Sequence, residues 1–165
     1  MPAITVCPVC GEQGVAPKGS KNAKWLLVFA KPYPIATGWK GKNLSAMDVL
    51  RKEFAKVGLD LADFRISSLN LHEPTKNDDC YQAGRSVVLD EARGREAVIL
   101  VGSEPVEEFT GLSASDTAGL CVDAPALSAK IVFVLPKPEG VFVRGAGIGE
   151  LRLSCQKLGK VLNNE

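Results

Sequence analysis

Short, unbroken apolar runs alternate along this chain with longer stretches of helical spacing. Trp25-Leu26-Leu27-Val28-Phe29 and Ala97-Val98-Ile99-Leu100-Val101 read as strands buried on both faces, because no polar position interrupts them. Ile131–Leu135 reads the same way, and Phe64–Leu71 reads as a strand that Pro74 brings to an end. Between these runs the period changes. Leu44, Met47, Leu50, Phe54 and Val57 share one helical face, with Asn43 placed to cap the start and Gly58 to end the helix. A second helix is predicted over about Asp79–Glu96, although Gly84 and Gly94 interrupt it. A short third helix runs from a Ser103 cap to Gly111. A closing helix covers Glu150–Leu162, with Leu151, Cys155, Leu158 and Val161 or Leu162 turned inward. The polar stretch Gly14–Lys24 reads as loop, and no internal repeat is present.

Strands alternating with helices imply parallel strands joined by crossovers. The expected fold is a three-layer α/β/α sandwich around a central, mostly parallel, four-stranded sheet. In such sheets ligands sit beyond the carboxyl ends of the strands. Three loops leave those ends, Ala30–Lys42, Leu71–Cys80 and Pro136–Gly149, and all are rich in Pro, Gly and polar residues.

Length and charge narrow the classes. At 165 residues one domain is expected over 1–165, with an N-terminal knuckle over about 1–24. A net charge of +1 excludes a strongly basic nucleic-acid coat and leaves room for a local basic groove. No apolar run reaches the length of a membrane span and no leader pattern opens the chain, so a cytoplasmic location is expected. Five cysteines, an odd number, point to metal ligation or core thiols rather than a disulfide framework.

Cys7-Pro-Val-Cys10-Gly reads as half of a metal site, two thiolates on one tight turn, favoured by its proline and glycine flanks over a redox pair. His72, the single histidine, lies in a loop eight residues ahead of Cys80. Cys7, Cys10, His72 and Cys80 together make a Cys₃His set, which satisfies four-coordinate geometry. Cys155 falls in the apolar stripe of the last helix and reads as a core thiol, and Cys121 is a weaker ligand candidate.

The order of these features resembles the uracil-DNA glycosylase superfamily, most closely its iron–sulfur (family-four type) branch. The resemblance rests on the knuckle, the first strand, and a Pro/Gly loop closing on Thr37-Gly38-Trp39-Lys40-Gly41-Lys42. It continues through Ser67-Ser68-Leu69-Asn70-Leu71-His72-Glu73-Pro74, Val98-Ile99-Leu100-Val101-Gly102 and Phe109-Thr110-Gly111. It implies a [4Fe-4S] cluster held by Cys7, Cys10 and Cys80, with His72 standing where the branch has a further cysteine. That histidine leaves zinc as the alternative at the same ligands.

The resemblance also locates the chemistry. Lys31, in Ala30-Lys31-Pro32-Tyr33-Pro34, stands where the family has its acid, and Leu135-Pro136 stands where it has a His-Pro pair. Both standard catalytic groups are therefore replaced. Lys31 is the remaining catalytic candidate, as a nucleophile at C1′ if its pKa is lowered. Tyr33 and Trp39 are candidates for stacking on a base, Asn70 for contacting one, and Lys40, Lys42, Lys137 and Arg144 for phosphate. The expected function is a glycosylase-like protein that acts on or binds DNA, weakly and salt-dependently, as a monomer. The alternatives are an inactive glycosylase fold serving as a DNA-binding or protein-interaction module, and an unrelated zinc-ribbon α/β domain.

Overall fold

A computed structural model of the chain describes residues 4–31, 46–72, 77–138 and 148–163. Its centre is a sheet of four parallel strands: β3 (Trp25–Phe29), β4 (Phe64–Ser68), β5 (Ala97–Val101) and β6 (Ile131–Leu135), in the order β4-β3-β5-β6. The strand stagger is regular, with Trp25 opposite both Phe64 and Ala97, and Ala97 opposite Ile131.

The unbroken apolar runs are explained by layers on both faces. Leu27, Phe29, Ile99, Val101, Phe133 and Leu135 pack with helices α1 (Ala46–Lys56) and α5 (Ile148–Leu162) through Leu50, Phe54, Leu151, Cys155 and Leu158. Leu26, Val28, Val98, Leu100, Val132 and Val134 point the other way. They meet α2 (Asp78–Ala92) and α3 (Ser103–Thr110) through Val88, Ala92, Val106 and Phe109. This is the expected three-layer sandwich, with a sheet that is parallel throughout.

Several boundaries differ from expectation for local reasons. The stretch expected as loop from Gly14 contains part of β2 (Gln13–Val15), which pairs antiparallel with β1 (Ile4–Val6). Three-residue strands bury too little to leave a periodic signal. The same N-terminal segment then closes the edge of β4: Lys18 N–H donates to Ile66 O and Ile66 N–H to Lys18 O, each at 2.8 Å. Helix α2 begins one residue before the expected Asp79, because the Asn77 side chain caps it by accepting from Cys80 N–H at 2.9 Å. It stops at Ala92, ahead of Gly94 at φ 76°. Ser103 is the first residue of α3 rather than its cap, a place taken by Gly102 at φ 88°. A short helix, α4 (Ala114–Thr117), was not anticipated. Asn43 and Leu44 lie outside the described residues.

Two connections matter for function. From β3 the chain proceeds to α1 on one face of the sheet, and from the adjacent β5 it proceeds to α3 on the other. Neighbouring exits that diverge in this way are where α/β sheets bind ligands. At the opposite end of the sheet, Arg65 ties the edge strand to α2. It donates from Nε and Nη2 to the two carboxylate oxygens of Glu91 at 2.9 and 3.0 Å, and from Nη1 to Gly19 O at 2.6 Å. Arg95 Nη2 reaches the same carboxylate at 3.0 Å. No helix among the described residues is long and apolar enough to cross a membrane.

Candidate metal centre

The knuckle is shaped by its own backbone. Gly11 N–H donates to Cys7 O at 3.0 Å and Cys7 N–H donates to Glu12 O at 2.8 Å, closing a turn that Gly11 completes at φ 76°. Inside this turn the Cys7 sulfur accepts the backbone N–H groups of Cys10 and Val9. Those two bonds are the main reason its pKa falls to about 6; burial opposes them, and His72 and Cys10 add further lowering.

The other half of the centre comes from the exit of β4. Beyond Ser68 the chain turns through Leu69, Asn70 and Leu71, and this segment is held between two glycines. At Gly14 an added Cβ would stand 2.5 Å from Leu71 O, and at Gly84 it would collide with Leu69 O. The absence of side chains there lets β2 and α2 close on the segment from both sides, and Val15 N–H donates to Leu71 O at 2.8 Å. His72 is carried inward to 5% exposure, and Cys80, in the first turn of α2, to 2%.

The donor atoms of Cys7, Cys10, His72 and Cys80 all lie within 4.8 Å of one another. His72 Nε2 is 3.3 Å from Cys10 Sγ, and Nδ1, across the ring, is 4.0 Å from Glu12 Oε2. Burial first, and then the neighbouring Cys10 and Cys7, raise the Cys80 thiol to about 11. The pocket thus favours a thiolate at Cys7 and opposes another at Cys80. A metal cation reverses that opposition, since it supplies the positive charge that buried thiolates need. These four residues are close enough to bind a metal ion, as the sequence predicts. Cys155 is fully buried among the core side chains, and Cys121 is exposed beside β6, where it bridges to Phe133.

The remaining described candidates lie at or beside the strand exits. Lys31 is exposed just past β3, and Lys137 is exposed just past β6, with its Cβ 3.3 Å from where a side chain at Gly102 would begin. Asn70 is buried and serves as a brace. Its Nδ2 donates to Ala30 O at 2.7 Å and to Glu104 Oε1 at 3.1 Å, joining the exits of β3, β4 and β5. Leu135 is buried in the core, and its carbonyl accepts from Gly102 N–H. Tyr33, Trp39, Lys40, Lys42 and Arg144 lie outside the described residues. Glu12 and Glu104 escape a reading of the sequence, because a single acid in a polar stretch carries no spacing to mark it. No protein-family model matches the chain, and no curated protein matches it with significance.

Proposed function

We propose that this chain is a glycosylase-type α/β domain that engages DNA across its strand exits and is stapled by one zinc ion at Cys7, Cys10, His72 and Cys80. The observation that carries the metal reading is the compactness of the donors, all within 4.8 Å. A tetrahedral zinc ion, with bonds of about 2.0–2.3 Å, sets its ligands roughly 3.5–4 Å apart. A cubane places a separate iron beneath each ligand and so spreads the donor atoms farther apart than a single ion does. Cys₃His is also an ordinary zinc set. Four protein ligands leave no position for substrate, so the ion's role is structural. It locks the N-terminal hairpin to the β4 exit and thereby fixes Asn70.

The DNA reading rests on the sequence resemblance, and two features of the fold are compatible with it. The exits of β3 and β5, which diverge to opposite faces of the sheet, lie where α/β sheets take ligands. Exposed lysines, Lys31 and Lys137, stand at the exits of β3 and β6. Binding is favoured over base excision, because Leu135 and Lys31 replace the groups that would meet the charges of bond cleavage.

Elemental analysis and the visible spectrum of protein purified without oxygen test the metal reading. One zinc per chain and a colourless solution are expected. Stoichiometric iron with broad visible absorption would replace zinc by the cluster.

A further inference from the structure

The histidine ligand raises a question that the three sulfurs do not. A neutral imidazole ligates through one nitrogen and carries a proton on the other, so something must select the tautomer. In this centre the two nitrogens face different surroundings. Nε2 points at the cluster of sulfurs, 3.3 Å from Cys10 Sγ, and Nδ1 points at the carboxylate of Glu12, 4.0 Å from Oε2.

We infer that Glu12 is a fifth residue of the metal centre: its carboxylate takes the Nδ1 proton of His72 as a hydrogen-bond acceptor and holds the ring with its Nε2 lone pair toward the metal. This rests on the metal reading above. Three observations support it. First, Glu12 is built into the knuckle, since its carbonyl oxygen accepts Cys7 N–H at 2.8 Å. The backbone that positions the sulfurs therefore positions this acid too. Second, the His72 side chain is almost wholly buried, so its N–H needs an acceptor from the protein or an ordered water. Third, the Glu12 side chain is 39% exposed. A surface side chain of this kind can rotate to shorten 4.0 Å to hydrogen-bond distance, or hold a bridging water there. An anionic acceptor also makes the imidazole a better donor to a cation. Glu12 is a positioning residue and contacts no metal itself.

The test uses the whole chain loaded with one equivalent of zinc, in wild type, Glu12→Ala, Glu12→Gln and a control, Glu107→Ala, on the exposed side of α3. Competition against a chromophoric chelator should show zinc held about 10- to 100-fold more weakly by Glu12→Ala. Glu12→Gln should recover part of the loss, because its amide oxygen accepts the same proton without the charge. His72 is the single histidine, so long-range proton–nitrogen NMR of the imidazole is free of overlap. It should show Nδ1 protonated and Nε2 metal-bound, with Nδ1 shifted and its proton exchanging faster in Glu12→Ala but not in Glu107→Ala. An affinity for Glu12→Ala within twofold of wild type overturns the inference. So does metal on Nδ1, or weaker binding with unmoved His72 resonances. A wild-type chain that takes up no zinc sinks the metal reading itself, and the inference with it.

Discussion

Leu69 crosses Gly84 so closely that a Cβ on the glycine would run into the Leu69 carbonyl oxygen. The obstacle is backbone, which cannot swing aside as a side-chain tip can. Gly84→Ala should therefore cost about 3 kcal/mol, near the upper range for overpacking. Gly94→Ala makes a useful contrast. Nothing lies within 4 Å of a Cβ there, and only the φ of 76° resists substitution, so the cost should be about 1 kcal/mol. Urea unfolding of the two variants measures the difference, and equal losses would remove the contact argument.

Glu91 is shared by Arg65 and Arg95. Burial alone would raise its carboxyl, but hydrogen bonds and charge from the two guanidinium groups hold it below its ordinary value of 4.5. The sign follows: the network's stabilisation is complete above the unfolded value and is lost as pH falls through the lower folded one. Unfolding free energy should thus drop on acidification below about pH 4.5, and Glu91→Gln should flatten that drop. At neutral pH the same substitution should cost roughly 2–3 kcal/mol, because it leaves the nearly buried Arg65 without its counter-ion.

DNA binding should be weak and carried by few phosphates. Net charge gives little long-range attraction, so on the proposed DNA reading affinity should come from local contacts, with Lys31, Lys40, Lys42, Lys137 and Arg144 as the candidates. Replacing Lys137 and Arg144 together by alanine should weaken binding to all sequences alike and reduce the slope of log K against log salt by about 2. An unchanged slope would place the contacts elsewhere.

Uracil excision should be absent, or slower by at least about a hundredfold than in an enzyme with both catalytic groups intact. Cleavage leaves negative charge on the base and positive charge on the sugar, and preorganised groups must meet each. Leu135, buried and apolar, cannot meet the first. Lys31, if charged, repels the second. Uracil-containing single- and double-stranded oligonucleotides, with and without borohydride, distinguish the outcomes. Rapid excision with no trapped adduct would contradict the expectation, and an adduct lost in Lys31→Ala would assign a lysine nucleophile.

What could be read in the sequence follows from how much each feature buries or binds. Val98, Ile99 and Leu100 could be placed because a central strand with apolar layers on both faces reads as an unbroken apolar run. Cys7, Cys10, His72 and Cys80 could be grouped because a half-site needs further donors and the chain offers few. The hairpin of Ile4–Val6 and Gln13–Val15 left no trace, since its stability comes from backbone pairing and the fit of Gly14 against Leu71. Asn77, Asp78 and Asp79 are all good capping residues, and only the geometry selects Asn77. The link from Asn70 to Glu104 reaches from the β4 exit past β3 to the β5 exit, a proximity that only the sheet order reveals.

Zinc content after single cysteine replacements tests the central claim that Cys7, Cys10, His72 and Cys80 form one metal centre. One zinc per chain is expected in wild type, Cys121→Ser and Cys155→Ser, and substoichiometric zinc with lowered stability in Cys80→Ser. Full zinc in Cys80→Ser, together with its loss in Cys121→Ser or Cys155→Ser, would contradict the account.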